Sequence, residues 1–173
     1  MHPVLFDMIN RDEELSVPRQ RKIQGRHYYL RDMQSFDIDK ITALEQDIFP
    51  SPWSRNAFRN EVASILSLPM VIETSDSICA YAVVWFLDIE MHIANLGVQK
   101  NYRRLGLASW LLNYYLKLAQ SLQMKVAHLE VRRKNAKAIR LYEKLGFNKV
   151  GIRKNYYSTE HEDAILMSYN FHS

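Results

Sequence analysis

The chain has 173 residues, of which 47% are hydrophobic and 24% are charged, with a formal net charge of +4 and only 5 glycines. This length suits one domain with a substantial buried core, and the low glycine content excludes collagen-like and low-complexity chains. The mild basic excess is compatible with an anionic small-molecule ligand or with an RNA-rich neighbourhood, and it selects neither of them. Because the charges are scattered along the chain, we expect no direct nucleic-acid binding.

The predicted elements, taken in chain order, begin after a polar segment. Residues 1–26 are predicted to be a polar N-terminal extension and residues 27–173 to be the folded domain. Asp37 is placed to cap the first helix, which Pro50 and Pro52 end. Hydrophobic spacing predicts strand His27–Leu30, helices 38–48 and 54–62, strands Met70–Thr74, Ile78–Leu87 and Met91–Val98, helix Gly106–Leu122, strand Lys125–Val131, helix Asn135–Lys144, and strands Phe147–Tyr156 and Asp163–Tyr169.

These elements predict an α/β fold with one domain and a mixed sheet. The strand 91–98, the helix 106–122 and the strand 125–131 form a βαβ unit, for which a parallel pairing is expected. The strands on both sides of this unit follow one another through short turns, which favours antiparallel pairing. The predicted architecture is therefore a central parallel βαβ unit flanked by antiparallel strands and helices.

The predicted location is the cytoplasm. The single cysteine, Cys79, lies in the apolar run Ile78–Leu87 and is interpreted as a small buried side chain. That run is too short to cross a bilayer, so we expect no membrane association. Residues 1–14 lack the basic and apolar regions of a secretion signal.

The segment that opens the helix 106–122 is the first candidate site. It reads Arg103-Arg104-Leu105-Gly106-Leu107-Ala108 and follows a strand. The first N–H groups of a helix lack internal partners and lie at the positive end of the helix dipole, so they can hold an anion. A glycine here lets a phosphate approach the backbone, although a simple turn also explains it. The segment matches neither a Walker A loop nor a Rossmann fingerprint.

Three polar residues that follow are further candidates. Glu130 lies near the C-terminal end of its strand, where open α/β sheets place ligands. Asn135 and Tyr142 are seven residues apart, or two helical turns, so they share a helix face. Each also has a purely structural explanation. Glu130 could form an ion pair at the end of its strand, Asn135 could cap a helix, and Tyr142 could pack in the core. His128 is interpreted as a packed histidine, and the histidine spacing predicts no metal site.

The order of these segments resembles the GNAT superfamily of acetyl-CoA-dependent N-acetyltransferases, and within it the RimI-type ribosomal-protein-alanine N-acetyltransferases. The resemblance covers about residues 27 to 170. Its superfamily motifs are Asn95-Leu96-Gly97-Val98, Tyr102-Arg103-Arg104-Leu105-Gly106-Leu107-Ala108, Leu129-Glu130-Val131-Arg132, Asn135-Ala136-Lys137-Ala138-Ile139 and Leu141-Tyr142-Glu143-Lys144-Leu145-Gly146-Phe147. The motifs that narrow it to N-terminal acetylation are Phe49-Pro50-Ser51-Pro52-Trp53-Ser54 and Arg153-Lys154-Asn155-Tyr156-Tyr157 with Glu162-Asp163-Ala164.

The resemblance implies acetyl-CoA as co-substrate, no metal, and a protein N-terminus, that of a ribosomal protein, as acceptor. Glu130 resembles the general base of the family and Tyr142 its general acid. The implied coenzyme-binding residues are Leu96, Gly97, Val98, Arg103, Arg104, Leu105, Gly106, Leu107, Ala108, Ser109 and Asn135, and the implied peptide-binding residues are Phe49, Trp53, Tyr156 and Tyr157. Ala108 replaces a glycine that is common in the motif, and Ser51 with Pro52 lengthens the loop before Trp53.

Two other functions remain open at this point. The same coenzyme motif serves enzymes that acetylate a lysine side chain or a small-molecule amine. The domain could also be a non-catalytic module that binds the coenzyme or a ribosome. The combined presence of Glu130, Asn135 and Tyr142 favours an enzyme, and the Tyr156-Tyr157 motif favours a peptide N-terminus as its acceptor.

Overall fold

The computed structural model describes residues 17–171, whose strands form one eight-stranded sheet. The strands are β1 (Gln20–Ile23), β2 (Arg26–Asp32), β3 (Ser67–Glu73), β4 (Ile78–Leu87), β5 (Glu90–Val98), β6 (Val126–Arg132), β7 (Asn148–Tyr157) and β8 (Glu162–Asn170). The helices are α1 (Ile38–Ile48), α2 (Arg55–Ala63), α3 (Leu107–Ser121) and α4 (Ala136–Lys144). The sheet order is β1-β2-β3-β4-β5-β6-β8-β7.

The predicted fold class is confirmed, because one parallel pair lies inside an otherwise antiparallel sheet. β5 and β6 run parallel and are joined through α3, while the remaining neighbours pair antiparallel. Short connections join β1 to β2, β3 to β4, β4 to β5 and β7 to β8, whereas β2–β3 and β6–β8 pair antiparallel across longer segments. The parallel pair needs the long crossover that α3 supplies. The predicted βαβ unit is therefore the centre of the sheet.

Helices cover both faces of the sheet. Along β4, Ala80, Ala82 and Val84 pack into the buried cluster that contains α3 and α4, whereas Tyr81 and Val83 pack into the cluster of α1 and α2. Successive strand residues point to opposite faces, so the two clusters lie on opposite sides of the sheet. Within residues 17–171, no helix combines the length and the apolar character that crossing a bilayer requires.

The segment before β2 differs from the expected extension. Residues 17–26 lie on the sheet, where β1 pairs with β2 and Val17 is buried in the α3 cluster. The carbonyl of Pro18 accepts a hydrogen bond of 2.9 Å from Trp110 on α3. This strand has no clear apolar alternation, because it adds to the edge of the sheet mainly through backbone pairing. The rest of the predicted extension, residues 1–16, lies outside the described residues.

Asp37 also differs from its predicted role. It occupies the N-cap position of α1, but its side chain makes no capping hydrogen bond to that helix. The carboxylate instead accepts from the backbone N–H of Gln34 at 2.8 Å and pairs with Arg31 at 2.6 Å. Asp37 therefore ties α1 to β2. In contrast, Ser54 caps α2 through its side chain, whose Oγ accepts from the backbone N–H of Ala57 at 3.2 Å.

Candidate active site

An opening between β5 and β6 is the feature around which the predicted site residues lie. The two strands pair only as far as Ile93 and Leu129. Beyond this point Asn95–Val98 pair with β4, and Glu130–Arg132 pair with β8. The register between β4 and β5 shifts at Ala94, which has no partner on β4, as in a β-bulge. This β5–β6 opening leaves backbone groups of Asn95–Val98 facing a gap at the carboxyl ends of the parallel strands.

The predicted pyrophosphate segment forms a turn at the start of α3. Arg104 has a φ of +66° and Gly106 a φ of +79°, which turn the chain sharply into the helix. A side chain at Gly106 would meet no atom within 4 Å, so the left-handed backbone explains this glycine. The helix begins at Leu107, and its first N–H groups lack intrahelical acceptors. This turn can hold an anion.

The other predicted coenzyme residues lie on β5 and around this turn. Arg103 is exposed, and its Nε donates to the carbonyl of Val98 at 3.1 Å, which links the turn to the end of β5. Leu107 is buried in the α3 cluster, and Leu96, Val98 and Leu105 pack against it as partly buried side chains. Ala108 and Ser109 are half-buried on the first turn of α3.

Glycine is needed at position 97 because a neighbouring side chain occupies the space that a Cβ would take. A Cβ on Gly97 would lie 2.5 Å from Cζ and 2.6 Å from the hydroxyl oxygen of Tyr81. The Tyr81 hydroxyl donates to the Glu45 carboxylate, which also accepts from the backbone N–H of Trp53 at 3.0 Å and from Asn95 Nδ2 at 3.1 Å. Glu45 is almost fully buried, and burial raises its pKa. The hydrogen bonds of the Glu45 carboxylate therefore link α1, the loop before α2, β4 and β5.

Glu130 lies at the β5–β6 opening, as its position near the end of β6 predicts. Its Oε2 is 2.9 Å from Nε2 of His92 on β5. The His92 ring stacks on Trp85, with ring centroids 5.4 Å apart, and the Trp85 indole N–H donates to Glu61 at 2.7 Å. Because Leu129 and Val131 belong to the α3 cluster, Glu130 is on the face that carries α1 and α2.

Tyr142 is buried on the inner side of α4. Burial raises its pKa well above the ordinary value of 10.0, and the nearby Tyr157 contributes to the rise. Burial likewise raises the pKa of Tyr157 to about 12, against the opposing effect of Arg132, while Glu130 adds to the increase. Tyr157 is thus close enough to interact electrostatically with both predicted catalytic residues. Both phenols keep their protons near neutral pH and can donate them.

The predicted peptide-binding aromatic residues lie in two places, at the end of β7 and in the segment between α1 and α2. Tyr156 and Tyr157 end β7, and their rings meet edge to face at a centroid distance of 5.1 Å. Trp53 packs its ring on Phe58 at 5.6 Å. Phe49 ends α1, is half-buried, and donates its N–H to the carbonyl of Glu45 at 2.9 Å.

A polar contact joins these two places. Ser51 donates to Glu160 at 2.6 Å, and Arg132 pairs with Glu160 at 3.3 Å and with Glu162 at 3.4 Å. The Arg132 guanidinium also lies 3.9 Å from the centre of the Tyr157 ring. The loop before α2 and the loop between β7 and β8 are therefore held together beside Tyr157.

Asn135 caps α4, as predicted. Its Oδ1 accepts from the backbone N–H of Ala138 at 3.1 Å. The turn before it is fixed by the Glu-Asp-Ala motif: Glu162 accepts from the N–H of Lys134 at 2.8 Å, and Asp163 pairs with Arg133 at 3.1 Å. This motif therefore positions the turn between β6 and α4.

His128 is a packed histidine, as predicted, because its Nδ1 lies 2.8 Å from Ser168 Oγ. Among residues 17–171, no cluster of three His, Cys, Asp or Glu side chains has the arrangement of a metal site. The single cysteine, Cys79, is buried.

A model of the acetyltransferase (GNAT) family matches residues 38–147 of the chain. The chain belongs to the GNAT family of acetyltransferases. It is an acetyl-CoA-dependent N-acetyltransferase, as the sequence resemblance implies. The match spans every element from α1 to the residue before β7, and therefore contains Glu45, His92, Glu130 and Tyr142.

Curated relatives and solved structures of this acetyltransferase family cover most of the chain. The [ribosomal protein bS18]-alanine N-acetyltransferase of Salmonella typhimurium is 34% identical over 139 residues, 79% of this chain and 93% of that protein. The same-named protein of Escherichia coli strain K12 is 33% identical over 138 residues, also 79% and 93% of the two chains. The crystal structure of the Escherichia coli ribosomal-protein-S18-alanine N-acetyltransferase superposes with a TM-score of 0.78 at 30% identity, over 84% of this chain and 95% of that one.

Several residues at the site were not predicted. His92, Glu45 and Arg132 contact predicted residues only because distant parts of the chain meet in the sheet. Arg132 was present in a quoted motif, and its position two residues after Glu130 on one strand already places both on the same face. For His92 and Glu45, the sequence offers no comparable periodic signal.

Proposed function

We propose that this acetyltransferase transfers the acetyl group of acetyl-CoA to the N-terminal α-amine of a protein, specifically to an N-terminal alanine of a ribosomal protein. Relatives at 33–34% identity that bear this activity in their names support the proposal. The observation that carries it is the position of Tyr157. This residue of the predicted peptide wall has the Arg132 guanidinium 3.9 Å from its ring centre, and Arg132 follows Glu130, the proposed base, by two positions on the same face of β6. Tyr157 also contributes to the raised pKa of Tyr142, the proposed acid.

In the proposed complex, the coenzyme extends along the β5–β6 opening. The unpaired backbone edge of Leu96–Val98 offers hydrogen bonds to the pantetheine amides, as a peptide strand would do on a sheet edge. The N–H groups of the turn Arg104–Ser109, together with the Arg103 and Arg104 charges, bind the pyrophosphate. Asn135 contacts the coenzyme and also caps α4.

The acceptor amine then reacts directly with the bound thioester. An α-amine has a pKa of about 7.7–8.0, against about 10.4 for lysine, so its neutral fraction near pH 7 is about 300-fold larger. Glu130 removes a proton from the amine, directly or through one water. The amine nitrogen bonds to the carbonyl carbon, and a backbone N–H of β5 near Val98 stabilises the oxyanion.

Tyr142 completes the reaction by protonating the departing sulfur. The C–S bond breaks as the amide forms, and the CoA thiolate takes the phenol proton. Burial raises the Tyr142 pKa, so the phenol is protonated when the sulfur departs. Because a thiol has a pKa of about 8.5, the transfer itself is uphill and is completed when the phenol takes up a proton again. The ammonium form of the substrate loses two protons in all. One of them restores the Tyr142 phenol and the other is released to the solvent, which balances the reaction.

Purified protein incubated with acetyl-CoA and a peptide that begins with alanine tests this function. We expect release of CoA thiol and a peptide that carries one acetyl group on its N-terminus. The matched control is the same peptide with a blocked N-terminus and a free internal lysine. Thiol release without peptide, or acetylation of the lysine control alone, would contradict the proposed acceptor.

Two variants test the assigned roles. Glu130→Gln should lower kcat by about 100-fold or more, the usual contribution of a general base. Tyr142→Phe should lower kcat while coenzyme binding, measured by calorimetry, stays within about twofold. Equal losses of turnover and coenzyme binding in Tyr142→Phe would assign that residue to the structure rather than to proton transfer.

A further inference from the structure

The pair formed by His92 and Glu130 has no role in the mechanism described so far. His92 Nε2 and Glu130 Oε2 are 2.9 Å apart across the two parallel strands, at the point where their pairing ends. At this distance a bare ring nitrogen would face the lone pairs of the carboxylate oxygen. A hydrogen must therefore lie between the two atoms, and it belongs to Nε2 when Glu130 is ionised.

The His92 ring is itself held by its neighbours. It stacks on Trp85 of β4 at an interplanar angle of 24°, and Trp85 is fixed by its hydrogen bond to Glu61 on α2. Both rings lie on the face that carries α1 and α2, which is also the face of Glu130. A helix and two strands therefore fix the orientation of the imidazole independently of its contact with the carboxylate.

We propose that His92 is a positioning residue for acetyl transfer, which fixes the Glu130 carboxylate through Oε2 and leaves Oε1 to accept the proton of the substrate amine. A free carboxylate at the mouth of an opening rotates among several orientations, and only some of them face the amine. Fixing one oxygen also fixes the direction of the other. The carboxylate then loses less conformational entropy when it reaches the reacting geometry. The inference rests on the proposed role of Glu130 as base.

A second histidine provides a matched control. His128 is the register partner of His92 on β6, but it contacts Ser168 and lies 4.0 Å from Glu90 instead of pairing with Glu130. Replacement of His128 by phenylalanine therefore removes an imidazole from the same face of the sheet without touching the proposed base.

Steady-state kinetics of three variants, with both substrates varied, test the proposal. His92→Phe keeps a flat ring against Trp85 but has no N–H, and we expect kcat to fall by about tenfold with the KM for acetyl-CoA unchanged. His92→Gln loses the ring but retains an amide N–H near the position of Nε2, and we expect it to recover most of kcat. His128→Phe should keep the kcat of the native protein.

The opposite pattern would overturn the proposal. Full kcat in His92→Phe together with a loss in His92→Gln would mean that only the stacking on Trp85 matters. Unfolding midpoints of all variants separate these outcomes from a simple loss of folded protein.

The double variant His92→Phe with Glu130→Gln separates this inference from the proposed base. We expect it to be no slower than Glu130→Gln alone, because His92 acts only through that carboxylate. If Glu130→Gln keeps full activity while His92→Phe loses it, the proposed base is wrong, and His92 does not act through Glu130.

Discussion

An alanine at position 97 is expected to destabilise the fold, because its methyl group would overlap the buried Tyr81 ring. The added carbon would lie 2.5 Å from Cζ and 2.6 Å from the hydroxyl oxygen of Tyr81. That ring is fully buried, packs edge to face on Phe58 and donates its hydroxyl to Glu45. Overpacking a core costs about 1–3 kcal/mol, and losing a hydrogen bond to a charged group costs about 1.5–3 kcal/mol. Since displacement of the ring causes both, we expect a loss of about 3 kcal/mol.

Urea denaturation of Gly97→Ala measures this loss as a lower midpoint with an unchanged slope. The thermal midpoint should fall by about 6–12 °C for a domain of this size. Gly151→Ala is the matched control, since the nearest atom to its Cβ would be the Leu166 Cδ1 methyl at 3.3 Å, which can move aside, and the next Leu166 atoms are at 3.9 Å, an ordinary contact distance. Equal stabilities of the two variants would refute the view that Glu45 fixes the Tyr81 ring. In a Tyr81→Phe background, Gly97→Ala should cost less, because the freed ring can tilt.

Three further changes probe the surroundings of the site. Burial raises the pKa of Glu45 above 4.5, so the free energy of unfolding falls as pH rises from about 4.5 to the pKa of the folded state. Urea titrations at several pH values should show this fall in the native protein but not in Glu45→Gln. Asn135→Ala should lose about 1 kcal/mol of stability with the cap, and Asn135→Ser should regain most of it. Arg132→Leu removes the guanidinium from Tyr157, and the KM for peptide should rise about fivefold, equivalent to about 1 kcal/mol, with the KM for acetyl-CoA unchanged.

The secondary structure could be predicted because apolar spacing is a local property. The strand Ile78–Leu87 is predicted with its observed bounds, and α3 begins and ends within one residue of its predicted limits. The short strand β1 escaped prediction because its residues are polar and basic and join the sheet through backbone pairing at an edge. Asp37 was assigned to the wrong contact, since the sequence does not show that Arg31 lies beside it.

The site residues likewise fall into two groups, those set by the local sequence and those set by contacts with distant parts of the chain. Asn135 and the Gly106 turn are set by local backbone geometry, so their observed conformations follow from neighbouring residues. The partner of Glu130 is 38 positions earlier in the chain, and that of Tyr81 is 36 positions earlier. Such pairs depend on strand register, which a single sequence does not specify. Gly97 illustrates the consequence: its missing side chain suggests room for the coenzyme, whereas the structure fills that space with the Tyr81 ring.

The two proposed catalytic groups lie on opposite sides of the sheet. Tyr142 belongs to the cluster of α3 and α4, while Glu130 is on the face of α1 and α2, between Leu129 and Val131, which face the other way. In a continuous sheet, paired strands would separate them. The β5–β6 opening removes that barrier just where β6 reaches Glu130. In the proposed mechanism the amine therefore approaches the thioester from the face of the base, and the sulfur leaves toward the face of the acid. Because the two substrates enter from different sides, both can be bound at once, which direct transfer in a ternary complex requires.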